Sequence, residues 1–316
     1  MRSLSFTEAV CYTAKRFTSN PVAKTIRMDA LFDAGILVGS QLGLDTFEIS
    51  NNNLIKKYSI DYNGDGILDD VVTIEYDQQG NLVKESGDRL ADGKIDEVTT
   101  YEYDQQGNCV KTFYDDNAND IFDSEMTFEY DQQGNMVKAF DDHHVITYEY
   151  DQQGNAVKES IDRLADGKID AVTTYGYDQQ GNCVKTSVDR NADGKIDAAG
   201  TDEYDQQGNM VKESTDFDGD GKIDEVITYE YDQQGKMVKV SHDNNADGKI
   251  DRVDTSEYDQ QGNRVKISFD FKGNEKFNEV ITYKYEQQGN RVKTSIDYGA
   301  DGKFDRFIYR RYEYIQ

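Results

Sequence analysis

The chain has 316 residues, of which only 36% are apolar, below the roughly 45–50% of an average globular protein, so we do not expect a thick hydrophobic core. Its net charge is −27, and the whole excess lies in residues 51–316, which hold 30 basic and 57 acidic side chains. Because a surface this acidic repels phosphate backbones and anionic lipids, it argues against nucleic acid and membrane partners and leaves cations or basic proteins.

Residues 1–50 differ from the rest of the chain, with five basic and five acidic side chains. Ser5 and Glu8 match a capping box at the start of one amphipathic helix, and Asn20-Pro21 separates it from a second helical pattern. We expect these helices to cap the first edge of a β-sheet. The alternative is an assembly arm that docks on another subunit.

The remainder, residues 51–316, is a tandem repeat. Nine tyrosines each begin the phrase YDQQG, or YEQQG at the last, and they are 27 residues apart except for one separation of 20. Two arms rich in β-branched and aromatic residues flank each QQG-N, whose Gly and Asn suit a tight turn, so each unit is predicted to be a β-hairpin. The tyrosines are Tyr76, Tyr103, Tyr130, Tyr150, Tyr177, Tyr204, Tyr231, Tyr258 and Tyr285.

Two registers are open for each hairpin. A loop of two or four residues places Glu102 opposite Lys111 and Tyr103 opposite Val110, which pairs opposite charges. A three-residue loop with a bulge instead places the tyrosine opposite the column of Leu, Cys and Met residues that contains Cys109.

Antiparallel pairing is favoured over a parallel solenoid. A solenoid would stack Glu on Glu and Lys on Lys, and the unit between Tyr130 and Tyr150, which is seven residues short, would dislocate a rung but only tightens a hairpin end. We therefore expect an all-β fold, an antiparallel hairpin-repeat meander of about 18–20 strands forming a spiral or elongated sheet. A short N-terminal helical segment would precede it, with the domains divided as 1–50 and 51–316.

An acidic loop with the pattern D-x-[DN]-x-D-G-x-x-D follows most hairpins. Oxygen side chains at positions 1, 3, 5 and 9, together with a backbone carbonyl at position 7, can converge on one hard cation, and Gly at position 6 allows the chain to reverse. The full set occurs in four loops: Asp61, Asn63, Asp65, Asp69; Asp189, Asn191, Asp193, Asp197; Asp216, Asp218, Asp220, Asp224; and Asp243, Asn245, Asp247, Asp251. Three loops lack the oxygen at position 3: Asp88, Asp92, Asp96; Asp162, Asp166, Asp170; and Asp297, Asp301, Asp305.

Two further loops have lost expected ligands. The loop at 115–123 has Asn119 and Asp120 at positions 5 and 6, and the loop at 270–278 has Lys272 at position 3. The competing interpretation of all these loops is a polar hairpin end. Turn geometry, however, requires one or two Asp or Gly residues rather than Asp at positions 1, 5 and 9 in seven loops.

The loop resembles an EF-hand loop only through its ninth residue, because Val72, Thr99 and Gly200 stand where the twelfth-position Glu is expected. It is more similar to the calcium loops of thrombospondin type 3 and FG-GAP/VCBS repeats, in which the loop leads directly into a strand, as DYNGDGILDDVVT does at 61–73. The resemblance implies Ca²⁺ as the bound ion. Without a twelfth ligand we expect dissociation constants around 10⁻⁴ to 10⁻³ M, which suit the outside of a cell.

The other phrase, YEYDQQGN at 101–108, resembles the YD/RHS repeat, whose Tyr-Asp-x-x-Gly core forms hairpins in a long spiralling β-sheet. The resemblance covers 61–316. In that family the sheet builds shells round toxins or the ectodomains of adhesion proteins. The acidic loops are not a usual part of the motif, so those functions are not carried over.

No catalytic constellation is evident, since the chain has three histidines, no phosphate-cradling Gly loop and no recognisable triad. The sequence predicts a noncatalytic calcium-binding repeat protein. It would act outside the cell or at the cell surface as a structural or adhesive element, and a filament subunit is one form of this role. The alternative is a β-propeller-like binding module for protein or glycan. The expected partners are calcium ions, together with either further copies of the chain in a fibre or a bound protein or glycan. The sequence contains neither a membrane span nor an ordinary secretory signal.

Overall fold

The computed structural model describes residues 54–315, so the helices predicted within 1–50 lie outside the described residues. No helix in the described part is long and apolar enough to cross a membrane. Twenty strands account for the regular structure there, as the hairpin pattern predicts: β1 Ile55–Asp61, β2 Asp70–Tyr76, β3 Leu82–Asp88, β4 Glu97–Tyr103, β5 Cys109–Asp115, β6 Ser124–Tyr130, β7 Met136–Phe140, β8 Val145–Tyr150, β9 Ala156–Asp162, β10 Ala171–Tyr177, β11 Cys183–Asp189, β12 Ala198–Tyr204, β13 Met210–Asp216, β14 Glu225–Tyr231, β15 Met237–Asp243, β16 Arg252–Tyr258, β17 Arg264–Asp270, β18 Glu279–Tyr285, β19 Arg291–Tyr298 and β20 Arg306–Tyr314.

Each QQG-N phrase forms a hairpin with a three-residue loop. In the β4/β5 hairpin the N–H of Asp104 donates to the carbonyl of Asn108 (2.9 Å), and the N–H of Gly107 donates to the carbonyl of Asp104 (3.1 Å). Gly107 has a φ of 82°, a left-handed conformation that glycine adopts without steric cost. The turn therefore belongs to the loop length that the sequence associated with a bulge.

The register contains one pair from each of the two expected registers. Glu102 lies opposite Lys111, while Tyr103 lies opposite Cys109, with an irregularity between them. Val110 is the extra residue and forms a β-bulge, which absorbs the difference between the two registers. The same shift follows the Glu column of other hairpins, for example between Glu75 and Tyr76.

Consecutive strands pair antiparallel, and β1 also pairs with β20. Beyond this pair the N–H of Ile315 donates to the carbonyl of Leu54 (2.9 Å). The twenty strands therefore form one closed sheet, which is the topology of a β-barrel, and the expected open spiral or elongated sheet is wrong. Closure satisfies the backbone groups that the two end strands of an open meander would leave unpaired. A single sheet also contradicts the propeller alternative, whose blades are separate four-stranded sheets.

The described residues fall into two compact units, 54–60 with 68–148 and 311–315, and 61–67 with 149–310. Each unit has a small apolar cluster on one face of its strands, because alternate residues point to the same face. In the first unit the buried cluster consists of Leu82, Tyr101, Cys109, Phe128 and Ala139. In the second it consists of Ile267, Ile281, Tyr283 and Ile296.

In seven of the nine described YDQQG phrases, the tyrosine connects its hairpin to the preceding one. The β3/β4 ladder ends at the pair Lys84 and Thr100, and beyond it the hydroxyl of Tyr103 donates to the carbonyl of Leu82 (2.7 Å). This hydrogen bond holds neighbouring hairpins together where their backbones no longer pair. The equivalent pairs, at 2.7–3.0 Å, are Tyr130–Cys109, Tyr177–Ala156, Tyr204–Cys183, Tyr231–Met210, Tyr258–Met237 and Tyr285–Arg264.

Candidate metal centre in the acidic loops

The acidic loops connect consecutive hairpins at the sheet edge opposite the QQG-N turns. The base of each loop is closed by the position-9 backbone, as when the N–H of Asp96 donates to the carbonyl of Gly87 (2.8 Å). All the residues predicted to bind calcium lie in these loops or at the strand ends beside them.

The aspartate at position 1 is buried and organises the loop. Asp216 is 5% exposed, and its two oxygens accept the N–H groups of Gly219 and Gly221, both at 2.7 Å. Burial raises the pKa of Asp216, but these backbone hydrogen bonds outweigh it and lower the pKa overall. An oxygen of the position-1 aspartate accepts the position-6 N–H in all nine described loops, at Asp61, Asp88, Asp115, Asp162, Asp189, Asp216, Asp243, Asp270 and Asp297.

Positions 5 and 9 also accept backbone hydrogen bonds. Asp220 accepts the N–H of Lys222 (2.8 Å), two residues ahead, and Asp224 accepts the N–H of Phe217 (2.7 Å) across the loop. Position 9 ties the end of the loop to its start, and position 5 fixes the bend between them. These three aspartate columns therefore each have a part in folding the loop.

Three carboxylates converge in the loop at 216–224. One ligand oxygen from each of Asp216, Asp218 and Asp224 lies within 4.8 Å of the others. Asp218 occupies position 3, where the other full loops have Asn63, Asn191 and Asn245. Among residues 54–315, this is the one group of three acidic, His or Cys side chains whose ligand atoms lie this close together. The other predicted loops do not bring three carboxylates together in this way.

Lysine side chains at position 7 partly neutralise the loops. Lys222 Nζ lies 2.7 Å from Asp220 Oδ2, and Lys249 Nζ lies 2.9 Å from Asp247 Oδ2. The hydrogen bond from the Lys222 ammonium, followed by that from its N–H, lowers the pKa of Asp220. Because these lysines are more than 80% exposed, their ion pairs add little to stability.

The two loops with missing ligands keep the same conformation. At position 6 Asp120 and Glu275 have φ values of 66° and 67°, and their N–H groups still donate to Asp115 (2.8 Å) and Asp270 (2.6 Å). Asn119 also accepts the N–H of Ile121 (2.8 Å), as an aspartate does elsewhere. The loop conformation thus does not depend on the complete set of oxygen ligands.

The sequence analysis placed the aspartate of YDQQG in a turn but did not identify the hydrogen bonds by which it holds that turn. Asp104 Oδ1 accepts the N–H groups of Gln106 and Asn108, both at 2.8 Å, and its Oδ2 accepts the side-chain amide of Asn108 (2.9 Å). Burial raises the pKa of Asp104, but the Asn108 amide and the backbone N–H groups outweigh it and lower the pKa overall. The recurring Asp and Asn four residues apart was the signal for this motif.

Comparison with known proteins finds only distant structural similarity. No protein-family model matches the chain, and no curated protein matches it. Solved structures with similar parts include TcdB2-TccC3-TEV (13% identity, TM-score 0.33, covering 76% of this chain and 15% of that one) and a Photorhabdus luminescens Tc holotoxin pore (14%, 0.31, 78% and 18%). A porin-like protein from Bacteroides uniformis is similar at 13% identity with a TM-score of 0.32, covering 82% of this chain and 98% of that one. The chain spans less than a fifth of each toxin chain, and TM-scores this low assign neither a family nor a function.

Proposed function

We propose that this protein is a noncatalytic, calcium-binding β-hairpin repeat protein that acts as an extracellular or cell-surface structural or adhesive element. The observation that carries the proposal is the convergence of Asp216, Asp218 and Asp224 in one loop. Three carboxylates at this separation repel one another, and a divalent cation with oxygen preference removes that repulsion. The lowered pKa of Asp216 keeps its carboxylate ionised and available to such an ion.

Calcium suits these ligands better than magnesium or a transition metal. The loop at 216–224 offers carboxylate and backbone oxygens, and calcium accepts irregular coordination by six to eight oxygens. The absence of thiol or imidazole ligands in the loop disfavours zinc and copper. The absence of a twelfth-position carboxylate predicts dissociation constants of about 10⁻⁴ to 10⁻³ M, which suit the calcium level outside cells.

The closed sheet limits how such an element assembles. Strand addition needs an open edge, and β1 and β20 pair with each other. A structural or adhesive role therefore rests on the loops and the exposed strand faces rather than on edge-to-edge fibre growth.

Calorimetric titration of the full chain with calcium tests the proposal. We expect several weak sites, and we expect Asp218→Ala to remove or weaken at least one of them because the position-3 carboxylate is lost. Thermal unfolding in about 5 mM calcium should show a higher Tm for the unsubstituted chain and a smaller increase for Asp218→Ala.

Leu90→Ala is the matched control, because Leu90 stands at position 3 of the loop 88–96 and is 74% exposed. It should leave calcium binding unchanged, and Leu90→Asp should increase it. A titration without heat, together with an unchanged Tm in calcium relative to sodium at equal ionic strength, would overturn the proposal.

A further inference from the structure

One QQG-N turn differs from all the others at its last position. Eight of the nine have Asn at their last position, and the ninth has Lys236. Where Asn is present and the turn begins with Asp, its amide donates to Oδ2 of that aspartate at 2.8–3.0 Å, as Asn209 does to Asp205 and Asn263 does to Asp259. Lysine offers no short amide, so this bond is lost in the turn that joins β14 and β15.

The substitution leaves one carboxylate oxygen without its usual partner. Asp232 Oδ1 still accepts the N–H groups of Gln234 (2.8 Å) and Lys236 (2.9 Å). No group within residues 54–315 donates to Asp232 Oδ2. A carboxylate oxygen at a turn readily accepts a further hydrogen bond, which a ligand can supply.

The Lys236 side chain extends to the next turn instead of folding back on its own. Its Nζ lies 5.1 Å from the centre of the Tyr258 ring, and a Cβ added at Gly262 would overlap this ammonium. Lys236 therefore bridges two neighbouring turns, and the glycine of the second turn provides the space for it.

A cleft of about 300 Å³ lies between these two turns. Its polar lining includes Asp232, Gln234, Ser256 and Gln260, and its less polar lining includes Val238 and Tyr258. Val238 is the bulged residue of the β14/β15 hairpin, between the pairs Glu230–Lys239 and Tyr231–Met237, and bulges redirect side chains in this way. The volume is at the lower end of small-molecule sites and suits a ligand the size of one sugar residue.

The chemistry of the lining selects the ligand class. Asp232, Glu257 and Asp259 all line the cleft, so it disfavours anions. A carboxylate oxygen, two carboxamides and a hydroxyl can pair with vicinal hydroxyl groups, which both donate and accept hydrogen bonds. We propose that this cleft binds a neutral saccharide residue, with Asp232 Oδ2 accepting a sugar hydroxyl and the side chains of Gln234 and Gln260 completing the contacts.

Saturation-transfer NMR on the full chain in EDTA tests this proposal independently of calcium. The probes are D-glucose, D-galactose and N-acetyl-D-glucosamine, with Nα-acetyl-lysine amide representing a basic peptide. We expect transfer to at least one of the sugars. Lys236→Asn should reduce it about tenfold, because the amide of the new Asn occupies Asp232 Oδ2. This variant should fold, since it restores the sequence of the neighbouring turns.

Gln234→Ala should also weaken sugar binding, whereas Gln207→Ala, at the same turn position one hairpin earlier, should leave it unchanged. The proposal is overturned if no sugar shows transfer, if transfer survives both Lys236→Asn and Gln234→Ala, or if only the lysine derivative binds. Calcium-dependent stabilisation is measured separately, so loss of one activity does not imply loss of the other.

Discussion

The aspartates of the acidic loops fold the loop through backbone hydrogen bonds, and the same pattern of residues offers oxygens to a cation. Asp216, Asp220 and Asp224 each accept backbone N–H groups, which explains much of the Asp recurrence without a metal. Asp218 adds the third carboxylate of the converging group. Asp218 also accepts the N–H of Asp220 (3.1 Å), so it helps to fold the loop as well as increasing its capacity for a cation.

The QQG-N turn allows a test of its side-chain cap, the hydrogen bond from the Asn amide to the carboxylate of the first turn residue. The last turn has Glu286 in place of Asp, and its Asn290 amide lies 3.3 Å from Glu286 Oε1, longer than the 2.9 Å between Asn108 and Asp104. We expect Asp104→Glu to lower the free energy of unfolding by about 1 kcal/mol, which is the net contribution of a typical hydrogen bond. The reciprocal Glu286→Asp should raise it. Urea unfolding of both variants measures the difference.

The pH dependence of this effect has a definite sign. The pKa of Asp104 is lowered in the folded protein, so its ionised form contributes stability above its ordinary value, and that contribution is lost as pH falls through the lowered pKa. The difference between Asp104→Glu and the unsubstituted chain should therefore narrow below about pH 4. A difference that grows on acidification would contradict the proposed cap.

At the scale of loops and hairpins, position 4 of the acidic loop controls how closely neighbouring loops approach. Ala192 occupies it with a φ of 53°, while Gly219 has a φ of 72°. A Cβ on Gly219 would overlap the carbonyl oxygen of Ile196 and lie 3.1 Å from the Asp197 carbonyl carbon. Arg190 also bridges these two loops by donating to the carbonyl of Phe217 (3.2 Å). The loops 189–197 and 216–224 are therefore in direct contact.

Exchanging the two residues at position 4 tests this contact. Gly219→Ala should lower the free energy of unfolding by about 2 kcal/mol, because it combines an unfavourable φ with overlap against backbone atoms. Ala192→Gly should change it by less than about 0.5 kcal/mol, since relief of strain offsets the greater entropy of the unfolded chain. Thermal and urea unfolding compare the pair. Changes of equal size and opposite sign would show that backbone conformation alone matters at this position.

The hairpin repeat was predictable because its signals are local. The YDQQGN phrase specified the turn, and the alternating arms specified the strands. The register was not resolved, because Val110 forms a bulge that accommodates both the Glu102–Lys111 and the Tyr103–Cys109 pairs. The close group at Asp216, Asp218 and Asp224 had a sequence signal that was missed, because position 3 is Asp218 in this loop and Asn in the other full loops.

For the whole chain, the pairing of β1 with β20 decides the topology. Hairpins with identical patterns form an open or a closed sheet, so the repeat itself carries no information about closure. Closure depends on contacts between residues at opposite ends of the described chain, such as Leu54 and Ile315, and such long-range pairing has no sequence period to reveal it. The edge problem that an open meander would face is removed.

Ending the chain after Tyr298 removes β20 and tests the role of closure. We expect a lower Tm and concentration-dependent self-association, because β1 and β19 then each expose an unpaired edge. Light scattering coupled to size-exclusion chromatography measures the association. Arg311→Ser, at an exposed position of β20, should retain the behaviour of the full chain. A truncated chain that stays monomeric with an unchanged Tm would refute the importance of closure.

The tyrosine hydroxyl that reaches back 21 residues, as from Tyr103 to Leu82, has a consequence for how this architecture can evolve. Seven of the nine described YDQQG tyrosines form this same bond to the preceding hairpin. Recombination between near-identical gene segments can therefore add or delete two strands in one event without inventing a new interface. The number of hairpins can therefore vary between generations, and variants with more or fewer hairpins would keep the same tyrosine hydrogen bond between neighbouring hairpins.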